Sequence, residues 1–148
     1  MSQAAPAPAS PLTPRSAAGP ALRGGLWLAQ GLLAFIYLWA ASMKLGQSPA
    51  ELGAMMPWVT QTPESFVRFI GLVDLAAGLG LVLPALTRIA PRLTIAAALG
   101  STALQVCAMV FHLSRGEAMV VPMNVVMLAL SLFVAWGRTR KAPIAPRG

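Results

Sequence analysis

The 148-residue chain is 57% apolar and 10% charged, with a formal net charge of +7. Soluble globular chains run at about 45–50% apolar and about 25% charged, so an ordinary water-soluble domain is excluded. The basic excess has no binding motif or shaped basic surface behind it, which argues against a nucleic-acid partner.

Residues 1–25, MSQAAPAPASPLTPRSAAGPALRGG, are rich in Ala and Pro and hold no apolar core segment. They read as a disordered cytosolic tail, not a cleavable signal peptide, so the first apolar run acts as an uncleaved insertion signal. That run, Gly24 to Met43, carries no charge. It is close to the ~20 residues a helix needs to cross a hydrocarbon layer of roughly 30 Å. Gln30, Tyr37 and Lys44 fall seven apart on it and therefore share one face.

The following connector contains QSPAEL. Ser48 fits an N-cap, Pro49 the first helical position and Glu51 the third residue of a capping box. A short helix through Met56 is predicted, with Met55, Met56 and Trp58 toward lipid. In QTPES, Thr62 is expected to cap and Pro63 to open the second long helix. The second apolar run, Phe69 to Thr87, holds a single charge, Asp74. Gly71 and Gly78 share its face and let another backbone come near. An intramembrane carboxylate usually faces the protein interior, has a partner and marks function. Asp74 is expected to pair with Lys44 or Arg68, the alternative being a carboxyl kept protonated by desolvation.

LPALTRIAPR predicts a tight turn, since Pro84 and Pro91 both disfavour a continuing helix. In the third run, Leu93 to Ser114, the residues Ser101, Gln105, Ala108 and His112 line one face. In the fourth, Ala118 to Gly137, Asn124 and Ser131 are seven apart. Helices are thus expected at about 25–44, 66–86, 92–113 and 118–137, a bundle over 26–137, with 138–148 as a basic cytosolic tail. Each helix carries one stripe of small and polar residues, and the economical arrangement turns the four stripes toward one another. Short connectors make antiparallel neighbours, so the fold class is all-α, an integral membrane antiparallel four-helix bundle. Continuous apolar runs exclude a membrane β-barrel, which needs alternating segments of about ten residues.

Charge sets the orientation. Arg15, Arg23, Arg88, Arg92, Arg138, Arg140, Lys141 and Arg147 fall on one side with no acid among them. Glu51, Glu64 and Glu117 fall in the other connectors, and Asp74 within the second helix. This positive-inside pattern puts both termini in the cytoplasm and the connectors Leu45–Ser65 and Arg115–Glu117 outside. The basic tails can touch anionic lipid headgroups. Trp27, Trp39, Trp58 and Trp136 sit near the ends of the spans, as in an aromatic belt.

Depth gathers the ionisable residues in the outer half. Asp74 is nine residues past Ser65, ~13 Å at the helical rise, and Asn124 lies ~10 Å deep on the same count. The candidate binding residues are Tyr37, Lys44, Arg68, Asp74, Gln105, His112 and Asn124. No catalytic residue and no metal site is assigned. A single His cannot supply both axial ligands of a bis-histidine haem, and Cys107 has no partner for a dithiol relay. Met43, Met109, Met119 and Met123 would suit Cu(I), but no close-spaced ligand motif supports it. Phosphate loops, nucleophile elbows and metalloprotease motifs are absent.

Taken in order, GLLAFIYLWAASMKL, SPAELGAMMPW, RFIGLVDLAAGLGLVLPAL, PRLTIAAALGSTALQVCAMVFHLSRGE and NVVMLALSLFVAWGR resemble the DoxX-like membrane proteins over about Trp27 to Arg138. The resemblance implies a four-helix protein of the bacterial inner membrane. Lys44, Arg68, His112 and Asn124 match positions that are typically polar in such proteins, and Asp74 stands where the pattern has Glu. The family's name comes from a small membrane subunit linked to quinone-dependent sulfur oxidation. The expected function is therefore an accessory subunit with an outward-facing polar pocket for a quinone-like amphipathic molecule. Its partners would be the bilayer and subunits of a membrane oxidoreductase, or further copies of itself. A proton-coupled carrier or channel and a purely structural membrane partner are the alternatives.

Overall fold

A computed structural model describes residues 18–147. The expected tail over residues 1–17 lies outside them. The described elements are α1 (Pro20–Gly46), α2 (Pro49–Gly53), a 3-10 turn at Pro57–Gln61, α3 (Glu64–Thr87) and α4 (Arg92–Ser114). They continue with a 3-10 turn at Ala118–Val120, α5 (Val121–Trp136) and a π-helical turn at Gly137–Lys141. Four stretches are long and apolar enough to cross a membrane: Pro20–Gly46, Glu64–Thr87, Arg92–Ser114 and Ala118–Lys141.

The four long helices close a ring in which α1 packs on α3, α3 on α4, α4 on α5 and α5 on α1. Short connections between successive helices make neighbours antiparallel, as expected of an up-down bundle. The central core joins Leu33, Tyr37, Ala77, Leu81, Ala98 and Val134. A second cluster, Met43, Leu52, Trp58, Val59 and Val67, closes the end that carries the acidic residues. Leu28, Phe35, Leu72, Val110 and Val126 point outward from the ring and are exposed, which suits acyl chains.

The local sequence explains most boundaries. Pro20 occupies the first turn of α1, where its missing N–H costs nothing, and the helix therefore begins ahead of the expected residue 25. The capping box is present: Ser48 Oγ accepts from the Glu51 amide, and the Glu51 carboxylate accepts from the Ser48 amide. The helix it starts is only five residues long, and Pro57 then opens the 3-10 turn. Thr62 does not cap the second long helix. Its hydroxyl donates back to the Trp58 carbonyl at 3.2 Å and ends the 3-10 turn instead. Helix α3 runs through Pro84 and stops where Arg88 takes a left-handed φ of 59°.

Trp58 corrects the aromatic-belt reading. It is buried, 9% exposed, in the cluster with Leu52 and Val67. The 3-10 turn folds it inward, where it meets the Phe111 ring edge-on at 5.7 Å. Met55 does project outward, 59% exposed.

Close approach of α1 and α3 depends on Gly78. A Cβ there would lie 2.7 Å from Leu38 Cγ and 3.2 Å from the Ala34 carbonyl oxygen. We expect Gly78→Val to cost about 1–3 kcal/mol of stability, the usual range for overpacking. Thermal unfolding in detergent measures it.

Candidate functional site

Lys44 sits in the last turn of α1, where a cation complements the helix dipole. Its Nζ donates to Asp74 Oδ2 at 2.7 Å, and the two side chains are 10% and 5% exposed. Of the two expected partners for Asp74, the chain uses Lys44. Gly71, one turn before Asp74, makes room for it: a Cβ at that position would come within 3.0 Å of Lys44 Cβ. Arg68 is turned away from the carboxylate. Its Nη2 donates to Glu64 Oε1 at 2.8 Å and its Nη1 to the Lys44 carbonyl at 2.5 Å. It satisfies a carbonyl at the C-terminus of α1 that would otherwise lack an intrahelical partner.

A cavity of about 710 Å³ opens beside the pair. Six of the seven predicted residues line it, namely Tyr37, Lys44, Asp74, Gln105, His112 and Asn124, and Arg68 does not. The remaining wall is mostly apolar, with Ile36, Ile70, Leu104, Phe111 and Met127 prominent. Within it Gln105 Nε2 donates to the Tyr37 hydroxyl at 2.7 Å. Asn124 is only 7% exposed. No hydrogen bond of its amide occurs among the described residues, so its donor and acceptor face the cavity unspent.

Reading the sequence missed the mouth of this cavity. His112 Nδ1 donates to Glu117 Oε2 at 2.6 Å. Arg115 Nε reaches Glu117 Oε1 at 3.0 Å, and Arg115 Nη2 reaches Gln61 Oε1 at 2.7 Å. These contacts tie the 3-10 turn bearing Trp58 to the end of α4. The available signal was Gly116, whose φ of 73° lets the chain reverse after α4 and carry Glu117 back to His112. Cys107 also lines the cavity and is exposed. No group of three His, Cys, Asp or Glu side chains able to hold a metal ion occurs among the described residues.

The hydrogen bond from His112, and then Arg115, holds the Glu117 carboxyl below its ordinary value of 4.5. A carboxylate with a depressed folded-state value stabilises the fold above the unfolded value, and that stabilisation is lost as pH falls through the folded value. The 3-10 turn is therefore expected to stay fastened above pH 4.5 and to loosen in more acidic solution. Hydrogen exchange at residues 58–61 should rise at acidic pH in the native chain. In Glu117→Gln it should already be raised at neutral pH.

Gln30 belongs to the opposite end of the bundle. It is fully buried, donates to the Leu81 carbonyl at 2.6 Å, and accepts from Arg138 Nε at 2.7 Å. Arg138, expected to begin the basic tail, is 4% exposed.

Four apolar helices with a partly polar interior define a multi-pass membrane protein. The DoxX-like family matches the chain over residues 28–134, and the chain belongs to that family. No curated protein and no solved structure matches it.

Proposed function

We propose that the chain is an accessory membrane subunit that holds a quinone-like amphipathic molecule. The carrying observation is the cavity of about 710 Å³, apolar over most of its wall with the Lys44–Asp74 pair, Gln105 and Asn124 at its edge. Small-molecule sites commonly have volumes of about 300–1,000 Å³, apolar walls and a few convergent polar groups. A ring carbonyl would take a hydrogen bond from the Asn124 amide or Lys44, and a prenyl tail would leave between the helices into lipid. Charge asymmetry supports a bacterial inner-membrane orientation with both termini cytoplasmic and this cavity outward. A membrane oxidoreductase is the partner class consistent with such cargo.

The test is a titration of the purified chain in detergent with a short-tailed quinone. Saturation at about 100 times Kd should stabilise the fold by about 2.7 kcal/mol, seen as a rise in melting temperature. The same ligand should slow alkylation of Cys107. No rise and no protection count against the reading.

A proton-coupled passage is the second reading. It is favoured by Thr94 and Ser101, whose buried hydroxyls have no hydrogen-bond partner among the described residues and share a face of α4 with Gln105. Proteoliposome flux that is abolished by Asp74→Asn would support it, and flux unchanged by that substitution would dismiss it.

A further inference from the structure

The basic end of the bundle holds a second cavity, of about 350 Å³. Arg23 of α1, Arg88 of the α3–α4 turn and Arg138 of the π-helical turn line it, with Trp27, Leu86 and Ile144. Among the described residues no carboxylate lines it. The ion pairs formed by Glu64, Asp74 and Glu117 all lie toward the other end of the bundle.

Arg138 is the built part of this site. Its guanidinium stacks over Trp27 at 5.0 Å. Its Nε is fixed by Gln30, which is itself anchored to the Leu81 carbonyl. Its Nη1 reaches the Ala142 carbonyl at 3.5 Å, a long contact, and its Nη2 has no hydrogen-bond partner among the described residues. The segment after the π turn closes over the cavity and is held there by a bond from the Arg147 amide to the Arg88 carbonyl at 3.0 Å. A guanidinium that is 4% exposed and has no counter-ion among the described residues is costly, because Gln30, Trp27 and the long contact to Ala142 replace only part of the water that burial removes. A fixed fork of N–H donors matches the oxygens of a tetrahedral anion.

We propose that this cavity binds a phosphate group, with Arg138 as the buried donor and Arg23 and Arg88 as the exposed arms. The phosphate comes from an anionic phospholipid headgroup or from free phosphate in solution. Both sources present the same oxygens, and basic pockets between spans are suited to headgroups. This site is separate from the quinone-binding reading, and its test does not depend on that reading.

The full chain is placed in nanodiscs of phosphatidylcholine with a minor fraction of phosphatidylglycerol, and co-purifying lipid is counted by native mass spectrometry. A parallel arm titrates inorganic phosphate and reads melting temperature. Retention of phosphatidylglycerol with no phosphate response assigns the headgroup, and a phosphate response assigns the free anion. The responding probe should bind about tenfold more weakly to Arg138→Met, the loss expected for a charged hydrogen bond. Arg23→Gln with Arg88→Gln, both exposed and outside the core, should weaken it similarly and stands in if Arg138→Met does not fold. Arg140→Gln with Lys141→Gln removes equal charge from residues that do not line the cavity, and should leave binding within about twofold if the site, not diffuse attraction, is responsible. Equal losses in both double variants, or no response to either probe in the native chain, would overturn the proposal.

Discussion

Replacing Asp74 by Leu should destabilise the protein by about 3–5 kcal/mol, the usual cost of removing one member of a buried ion pair. The cost arises because Lys44, 8% exposed, would be left largely buried without its carboxylate. Arg68 offers no compensation, being itself a cation held by Glu64 and by the Lys44 carbonyl. Adding Lys44→Met to Asp74→Leu should recover most of the lost stability, because a well-packed apolar pair of similar volume often equals or exceeds a buried ion pair. Thermal unfolding of the two single variants and the double variant in one detergent gives the coupling energy. The double variant also separates structure from function. If the pair only fixes the register of α1 against α3, the recovered protein keeps its ligand response. If the pair anchors a ligand, the response stays lost although the fold has returned.

Filling the cavity should have the second large effect. Ala108 and Ala40 line it from α4 and α1 and are half-buried. Ala108→Phe extends a ring into space that a ligand would occupy, without forcing the overpacking expected at Gly78. Folding should persist, since about 710 Å³ is available. Quinone affinity should fall at least about tenfold, or 1.4 kcal/mol. Ala103→Phe on the exposed side of α4 is the control, and it should leave affinity unchanged. Equal loss in both variants would mean that bulk on α4 acts through the bilayer or the fold, not through the cavity.

The features legible in the sequence were those set by one-dimensional spacing. Sevenfold spacing placed Tyr37 and Lys44 on one face of α1. The lone charge in an apolar run singled out Asp74, because an acid at that depth needs a partner inside the protein. The Ser48-to-Glu51 capping box was equally local. What escaped depends on the chain turning back. Trp58 looked like a belt residue because its position in sequence is at a span end, yet the 3-10 turn folds it under Phe111. Arg138 looked solvated because it opens a cationic run. The π-helical turn instead brings it against Gln30, a contact across 108 residues of sequence. Glu117 was counted as connector charge, while Gly116 returns it to His112.

The most direct test is an experimental density map of the chain in a lipid nanodisc, prepared with and without a short-tailed quinone. The account predicts Lys44 Nζ in contact with Asp74, and quinone-dependent density between that pair, Gln105 and Asn124. An Asp74 side chain turned toward acyl chains, or a filled and collapsed cavity with quinone bound elsewhere, would contradict it.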